Sequence, residues 1–170
     1  KTADQWIRCL NLTAHPEGGY YREIYRSSGQ IAETSLPEGM QGERCYGTAI
    51  YFLLRAGQVS HWHRIKSDEL WFYHAGSPLE VIVLLHDGQE KKLLLGLDVE
   101  AGQRPQVMVP AGCWFGARIV NGPEDFSLVS CTVSPGFDFQ DFQLATSHDA
   151  EQWPALWKHP ELLPVSNVNR

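Results

Sequence analysis

The sequence predicts an all-β domain, a sandwich or barrel with short flanking helices at both termini. Three observations carry this. From Gly47 onward the chain is a series of short strand-like runs near 48–55, 59–63, 69–75, 79–86, 90–97, 106–110, 114–120 and 126–134, separated by turn residues. Eight or more such strands are the pattern of a sheet that closes or folds over on itself. Asp87-Gly88 is a strong hairpin signal between two of the runs. The 170 residues contain no internal repeat, low-complexity tract or composition break, so a single domain is expected over 1–170, with its barrel core at about 18–145.

The elements follow in order. Thr2 and Gln5 have the spacing of a capping box, and Trp6, Ile7 and Leu10 then share one side of a helical flank over 2–12. The turn HPEGG (His15 to Gly19) ends it, because proline breaks the helix and paired glycines admit backbone angles that other residues resist. Tyr20 to Arg26 is a strand candidate. Residues 27–46, rich in Ser, Gly, Pro and Glu, read as a long surface excursion placed to lie over a pocket mouth. Val81 to Leu85 is apolar at every position, as in a strand buried on both faces. Its outer face therefore needs cover from a terminal helix or from a second subunit, and a homodimer is expected. FDFQDF, after Gly136, reads as a last short strand. Trp153, Leu156 and Trp157, among prolines 154, 160 and 164, predict broken helical turns over 147–163 on the outside.

Composition narrows the function. A formal net charge of −6 leaves no basic stripe for phosphates, so no nucleic-acid partner is expected and a small-molecule ligand is. Cys9, Cys45, Cys113 and Cys131 are far apart with no CxxC pair, which predicts free thiols. The apolar runs Ile50 to Leu54 and Val81 to Leu85 fall far short of the ~20 residues of a membrane helix. KTADQWIRCLNL shows no apolar region followed by a small-residue cleavage site, so the expected compartment is the cytoplasm.

The most informative stretch is Gly57 to Gly76. His61 and His63 are two residues apart, so on a strand both imidazoles project from one face. Glu69, Trp71 and Tyr73 repeat the spacing. A wall with two histidines, a carboxylate, an indole and a phenol reads as the lining of a polar pocket, with Tyr51 on the preceding strand. Glu17 would reach a ligand from the rim or sit satisfied in its turn. Arg22 is either a pocket cation or half of an exposed pair with Glu23. Trp71, Trp114 and Phe115 are candidate ligand contacts, the two indoles stacking on a sugar or base or simply packing. Cys131 reads as buried filler. His74, His86, His148 and His159 lack partners at ligand spacing.

Gly57, His63, Glu69 and Gly76 are spaced G-x5-H-x-I-x3-E-x6-G, which resembles the first motif of the cupin superfamily, and Pro110 to Phe115 (PAGCWF) resembles its second, P-x-G-x2-H. More narrowly, HPEGGYYREIYRS, SDELWFYHAG, VPAGCWFGA and SCTVSPGFDF resemble the cupin-five type, once labelled a domain of unknown function. The resemblance implies a double-stranded β-helix, the cupin jelly-roll barrel, like that of dTDP-sugar 3,5-epimerases and usually dimeric. It implies no established reaction. In metal-binding cupins the ligands are two histidines and a glutamate of the first motif and the histidine of the second. Here two of those positions hold Ile65 and Phe115, which have no lone pair to give, so no cofactor is favoured. His61, His63 and Glu69 form the alternative, a two-His-one-carboxylate set for Fe, Mn, Ni or Zn.

In the epimerases that the fold resembles, the first-motif histidine is a base and a tyrosine the acid. Carried over, this makes His63 the base and either Tyr73 or Tyr51 the acid. The expected function is a cupin binding a sugar-like or nucleotide-like ligand with metal-independent epimerase or isomerase chemistry. A metal-dependent enzyme and a non-catalytic binding module are the alternatives.

Overall fold

A computed structural model describes residues 1–120 and 122–164; residues 165–170 of the expected domain lie outside the described residues. The chain opens with helix α1 (Ala3–Leu10), whose capping box is formed by Thr2 and Gln5. The strands are β1 (Thr13–Ala14), β2 (Tyr20–Arg26), β3 (Gln30–Ile31), β4 (Arg44–Cys45), β5 (Thr48–Arg55), β6 (Val59–Arg64), β7 (Asp68–Gly76), β8 (Leu79–Leu84), β9 (Glu90–Leu95), β10 (Gln106–Val109), β11 (Trp114–Ile119), β12 (Phe126–Ser134) and β13 (Gln143–Leu144). Helix α2 (Ser147–Gln152) and two 3-10 turns, Pro154–Lys158 and Pro160–Leu162, follow.

Two sheets face each other in a jelly-roll barrel. One has the order β1-β2-β5-β12-β7-β10, the other β13-β6-β11-β8-β9, and β3 and β4 pair apart from both. The named strand pairs are antiparallel. Phe52, Leu54, Trp71, Val81, Val83, Phe115 and Val129 fill the space between the sheets. Removing these large apolar side chains from water is the main stabilising term, roughly 1.5–3 kcal/mol for each.

The Val81 to Leu84 run of β8 is apolar at every position because both faces of the strand are covered there. Val81 and Val83 point into the barrel, while Ile82 and Leu84 join Trp62 and Trp114 under Leu156 and Leu162 of the C-terminal turns. The cover is thus supplied within the chain. Helix α1 closes another outer patch, where Ala3 and Leu12 meet Leu53, Phe126 and Leu128.

Two expectations change. FDFQDF forms a 3-10 turn, Phe139–Asp141, and the last strand, β13, starts only at Gln143. Asp138 caps the turn by accepting from the Gln140 N–H, a local bond that competes with strand pairing. Residues 27–46 contain the β3–β4 pair and a 3-10 turn, and none of them lines the cavity. The segment at its mouth is 137–142, held by a bidentate pair in which Arg44 Nε and Nη2 donate to Asp141 at 2.8 Å each.

Candidate functional site

A cavity of about 530 Å³ lies between the sheets. Its depth is formed by Glu17, His63 and Glu69 with Cys131 beside them. Tyr21, Ile50, Ile65 and Val133 make apolar walls, and Phe137, Phe139 and Phe142 stand at the mouth with Glu23, Arg26 and Asp138.

The HPEGG turn delivers Glu17. It closes through His15 N–H to the Gly19 carbonyl and Gly18 N–H to the His15 carbonyl, both 3.0 Å. Gly18 has φ +107°, and a Cβ there would sit 2.2 Å from the Val59 carbonyl oxygen. Only glycine lets the turn lie this close to β6. The contact is productive, since the Glu17 carbonyl accepts from the backbone N–H of His61 and from its Nδ1, each at 2.7 Å.

Alternation along β6 turns His63 inward and Trp62 outward. His63 Nδ1 donates to the His61 carbonyl at 2.7 Å, and Nε2 meets Glu17 Oε2 at 2.7 Å. Both ring nitrogens face acceptors. Burial opposes charge on His63, but the Glu17 carboxylate and its hydrogen bond outweigh burial and raise the imidazole above its ordinary value. Glu17 is likewise pushed up by burial and pulled further down by His63, ending lowered. Each partner therefore favours the charged form of the other. His15 stays neutral: burial lowers it, and its Nδ1 accepts from the Glu17 N–H at 3.1 Å.

Glu69, from β7, is 7% exposed. Burial, then the negative charge of Glu17, push its carboxyl up to about 7, although His63, Cys131 and Trp71 favour its charged form. It is half-protonated near neutrality and faces the cavity. The adjacent Cys131 thiol is driven well above its ordinary value by burial and by the two carboxylates, so it remains a thiol.

The site predicted from sequence is only partly assembled. His63, Glu69 and Glu17 meet in the cavity. Trp71 packs in the core at 5.8 Å from the Phe52 ring, and its indole N–H, without a well-formed hydrogen bond among the described residues, is near enough to Glu69 to favour that carboxylate. Phe115 backs His63 with ring centroids 4.0 Å apart. Trp114 lies on the opposite face, under the C-terminal turns and with Arg64 stacked on it at 4.5 Å. Tyr51 is outside too, beside α1 and 6.2 Å from the His74 ring. Tyr73 spends its hydroxyl on the Gly76 carbonyl. Arg22 is exposed and donates to the Leu10 carbonyl at 3.2 Å.

Alternation explains the difference at Arg22 and Tyr51. Tyr21, Glu23 and Ile50 are the inward neighbours, and a bulge between Glu23 and Tyr25 brings Arg26 to the cavity. The sequence also showed HPEGG and FDFQDF without revealing that His15 and the three phenylalanines belong to the pocket. Their contact with it is made by turns, which carry no periodic signal.

The residues do not fit a cupin metal. Ile65 and Phe115 occupy two ligand positions, His63 Nε2 is directed at Glu17, and His61 Nδ1 at the Glu17 carbonyl. Among the described residues no group of three or more His, Cys, Asp or Glu side chains is placed to hold an ion. The set of His61, His63 and Glu69 is thus not assembled as a triad.

Comparison with known proteins places the chain. It matches the family model described as Cupin superfamily (DUF985) over residues 4–145. It is 31% identical over 154 residues to the uncharacterized protein YML079W of Saccharomyces cerevisiae, covering 85% of this chain and 76% of that one. A hypothetical protein from Leishmania major superposes with a TM-score of 0.84 at 38% identity, covering 93% of this chain and 98% of that chain. Protein SO0799 from Shewanella oneidensis does so at 0.82 and 40%, covering 98% and 99%. Oxalate decarboxylase from Bacillus subtilis, at a TM-score of 0.53 and 14% identity over 90% of this chain and 40% of that one, shares the fold alone. With its barrel, its motif residues and a family match over most of its length in agreement, this chain belongs to the DUF985 branch of the cupin superfamily.

Proposed function

We propose that the barrel binds a small organic molecule of roughly sugar or nucleoside size and exchanges a proton with it without a metal. The observation that carries this reading is the Glu69 carboxyl, buried, shifted to about 7 and directed into a cavity of about 530 Å³. That volume falls within the 300–1,000 Å³ of ordinary ligand pockets. A proton-transfer group works best when its pKa lies near the working pH.

The roles differ from those carried over by resemblance. His63 has no free lone pair for a substrate proton, because one ring nitrogen is bonded to a carbonyl and the other to Glu17. It serves as a fixed positive charge that stabilises negative charge developing on the ligand. Glu69 is the base when ionised and the acid when protonated. Neither Tyr51 nor Tyr73 lines the cavity, so the second proton comes from solvent or from the ligand itself.

A thermal-shift screen of sugars, nucleosides and small ring compounds tests binding. For each hit, proton exchange into deuterated water is followed by NMR. At saturating ligand, Glu69→Gln is expected to slow exchange by about 10²–10⁴-fold. Unchanged exchange in that variant overturns the assignment to Glu69, and a screen without hits overturns the binding reading.

A further inference from the structure

The charges around the cavity are unbalanced in a way that selects a ligand. Four carboxyl groups line it, Glu17, Glu23, Glu69 and Asp138, against a single guanidinium, Arg26. Every cation present is already engaged. Arg26 donates through Nε and Nη2 to Glu23 at 2.9 and 2.8 Å, and through Nη2 to the Phe137 carbonyl at 3.1 Å. The His63 imidazolium is held by Glu17, and His15 is neutral.

Among the described residues, two of these acids form no ion pair of their own. Asp138, at the mouth, accepts from the Gln140 backbone N–H at 2.9 Å and feels the Arg44 and Arg26 charges only from a distance. Glu69 lies in the depth, more than nine-tenths buried and aimed into the cavity. The groups facing it are the Glu17 carboxylate, the His63 ring, the Cys131 thiol and the Trp71 indole, whose N–H makes no well-formed hydrogen bond. A buried carboxyl left in this state is costly to the fold unless something binds it.

An anion placed beside Glu69 would meet like charge in a poorly screened space, where the facing donors, the Trp71 indole N–H and the Cys131 thiol, are neutral and already favour the Glu69 carboxylate. A cation would relieve the repulsion between Glu17 and Glu69. Its apolar body would lie against rings whose faces attract positive charge, among them Phe142, which is 5.5 Å from the His63 ring. We propose that the cavity selects a ligand bearing a protonated amine, held by the Glu69 carboxylate with its apolar body on the Phe137 and Phe142 rings, and rejects anions of the same shape. This rests on the reading that the cavity binds a small molecule, and not on any proton-transfer role for Glu69.

The test is a matched triplet of probes with one body and three heads: phenethylamine, 2-phenylethanol and phenylacetate, with the same three heads on naphthyl and cyclohexyl bodies. Affinities are measured by titration calorimetry at pH 8. The amine of at least one body is expected to bind tenfold or more tighter than its alcohol, and tighter still than its carboxylate. Glu69→Gln should reduce the amine-to-alcohol ratio by tenfold or more while leaving the alcohol's affinity unchanged. Asp138→Asn should reduce that ratio less. Carboxylates or alcohols that bind as tightly as amines, or a preference that survives Glu69→Gln, overturn this inference and leave the small-molecule reading standing. Failure of every probe at millimolar concentration overturns both.

Discussion

Glu17, His63 and Glu69 share one pair of strong interactions, and Glu69 is the member left out. The ion pair of His63 and Glu17 satisfies two buried charges, whereas Glu69 keeps its proton to a much higher pH than a free carboxyl. The consequences for stability have opposite signs. His63, raised, contributes stability that is fully present below its unfolded value of 6.5 and is lost as pH rises through the folded value. Glu17, lowered, contributes stability present above 4.5 and lost as pH falls through its folded value.

Glu69, raised from 4.5 to about 7, holds a proton in the folded state that the unfolded chain has released, so stability falls as pH rises between those values. The full cost above pH 7 is on the order of 3 kcal/mol. Glu69→Gln removes it. Urea unfolding should show the variant gaining roughly 1–3 kcal/mol over the native chain between pH 5 and pH 8, and a constant difference would contradict the shift. The companion change, Glu17→Gln, should lower the pKa of His63, read from its ring proton shifts by NMR.

At the scale of elements, strands present side chains and turns bring them together. β6 and β7 supply His63 and Glu69 by alternation, but Glu17 arrives on a turn that Gly18 allows to approach β6, and the phenylalanines on the 137–142 segment. A buried pair anchors that segment, since Arg44 is 2% exposed and Asp141 7%, beside the bonds from Arg26 to the Phe137 carbonyl and from the Phe137 N–H to Thr48. Asp141→Asn would leave the guanidinium buried without its counter-charge, at a cost of roughly 3–5 kcal/mol. Amide hydrogen exchange at residues 137–142 should accelerate in the variant. The double change Arg44→Met with Asp141→Leu should recover most of the stability, because it removes both charges together. No recovery would mean that the pair does more than anchor the segment.

For the whole molecule, two sheets enclose the cavity, and two terminal segments cover what the sheets leave open. No helix among the described residues is long and apolar enough to cross a membrane. The C-terminal turns seal the outer face of β6, β11 and β8, with Trp62 Nε1 donating to the Leu156 carbonyl at 3.2 Å. Leu156 is fully buried. Leu156→Ala should therefore destabilise the protein by about 2–5 kcal/mol, measured by denaturant unfolding, with a change in tryptophan emission as Trp62 and Trp114 become hydrated. An effect below 1 kcal/mol would show that the turns rest loosely on the sheet.

The strand pattern, the helix cap at Thr2 and the inward direction of both His63 and Glu69 were legible in the sequence, because each depends on spacing within a few residues. That Ile65 and Phe115 stand where the cupin motifs carry histidine was legible through the resemblance, since residue identity alone decides whether a side chain has a lone pair. What only the tertiary structure decided was which distant turns reach the cavity, and therefore the charge state of the groups inside it. Tyr51 and Tyr73 were plausible acids until their directions and partners were known, and Glu17 was an ambiguous turn residue until it lay 2.7 Å from His63. Burial and nearby charge set a pKa, and both are properties of contacts between segments far apart in the chain. A carboxyl poised near neutrality is written by the fold, and no local pattern of residues could have announced it.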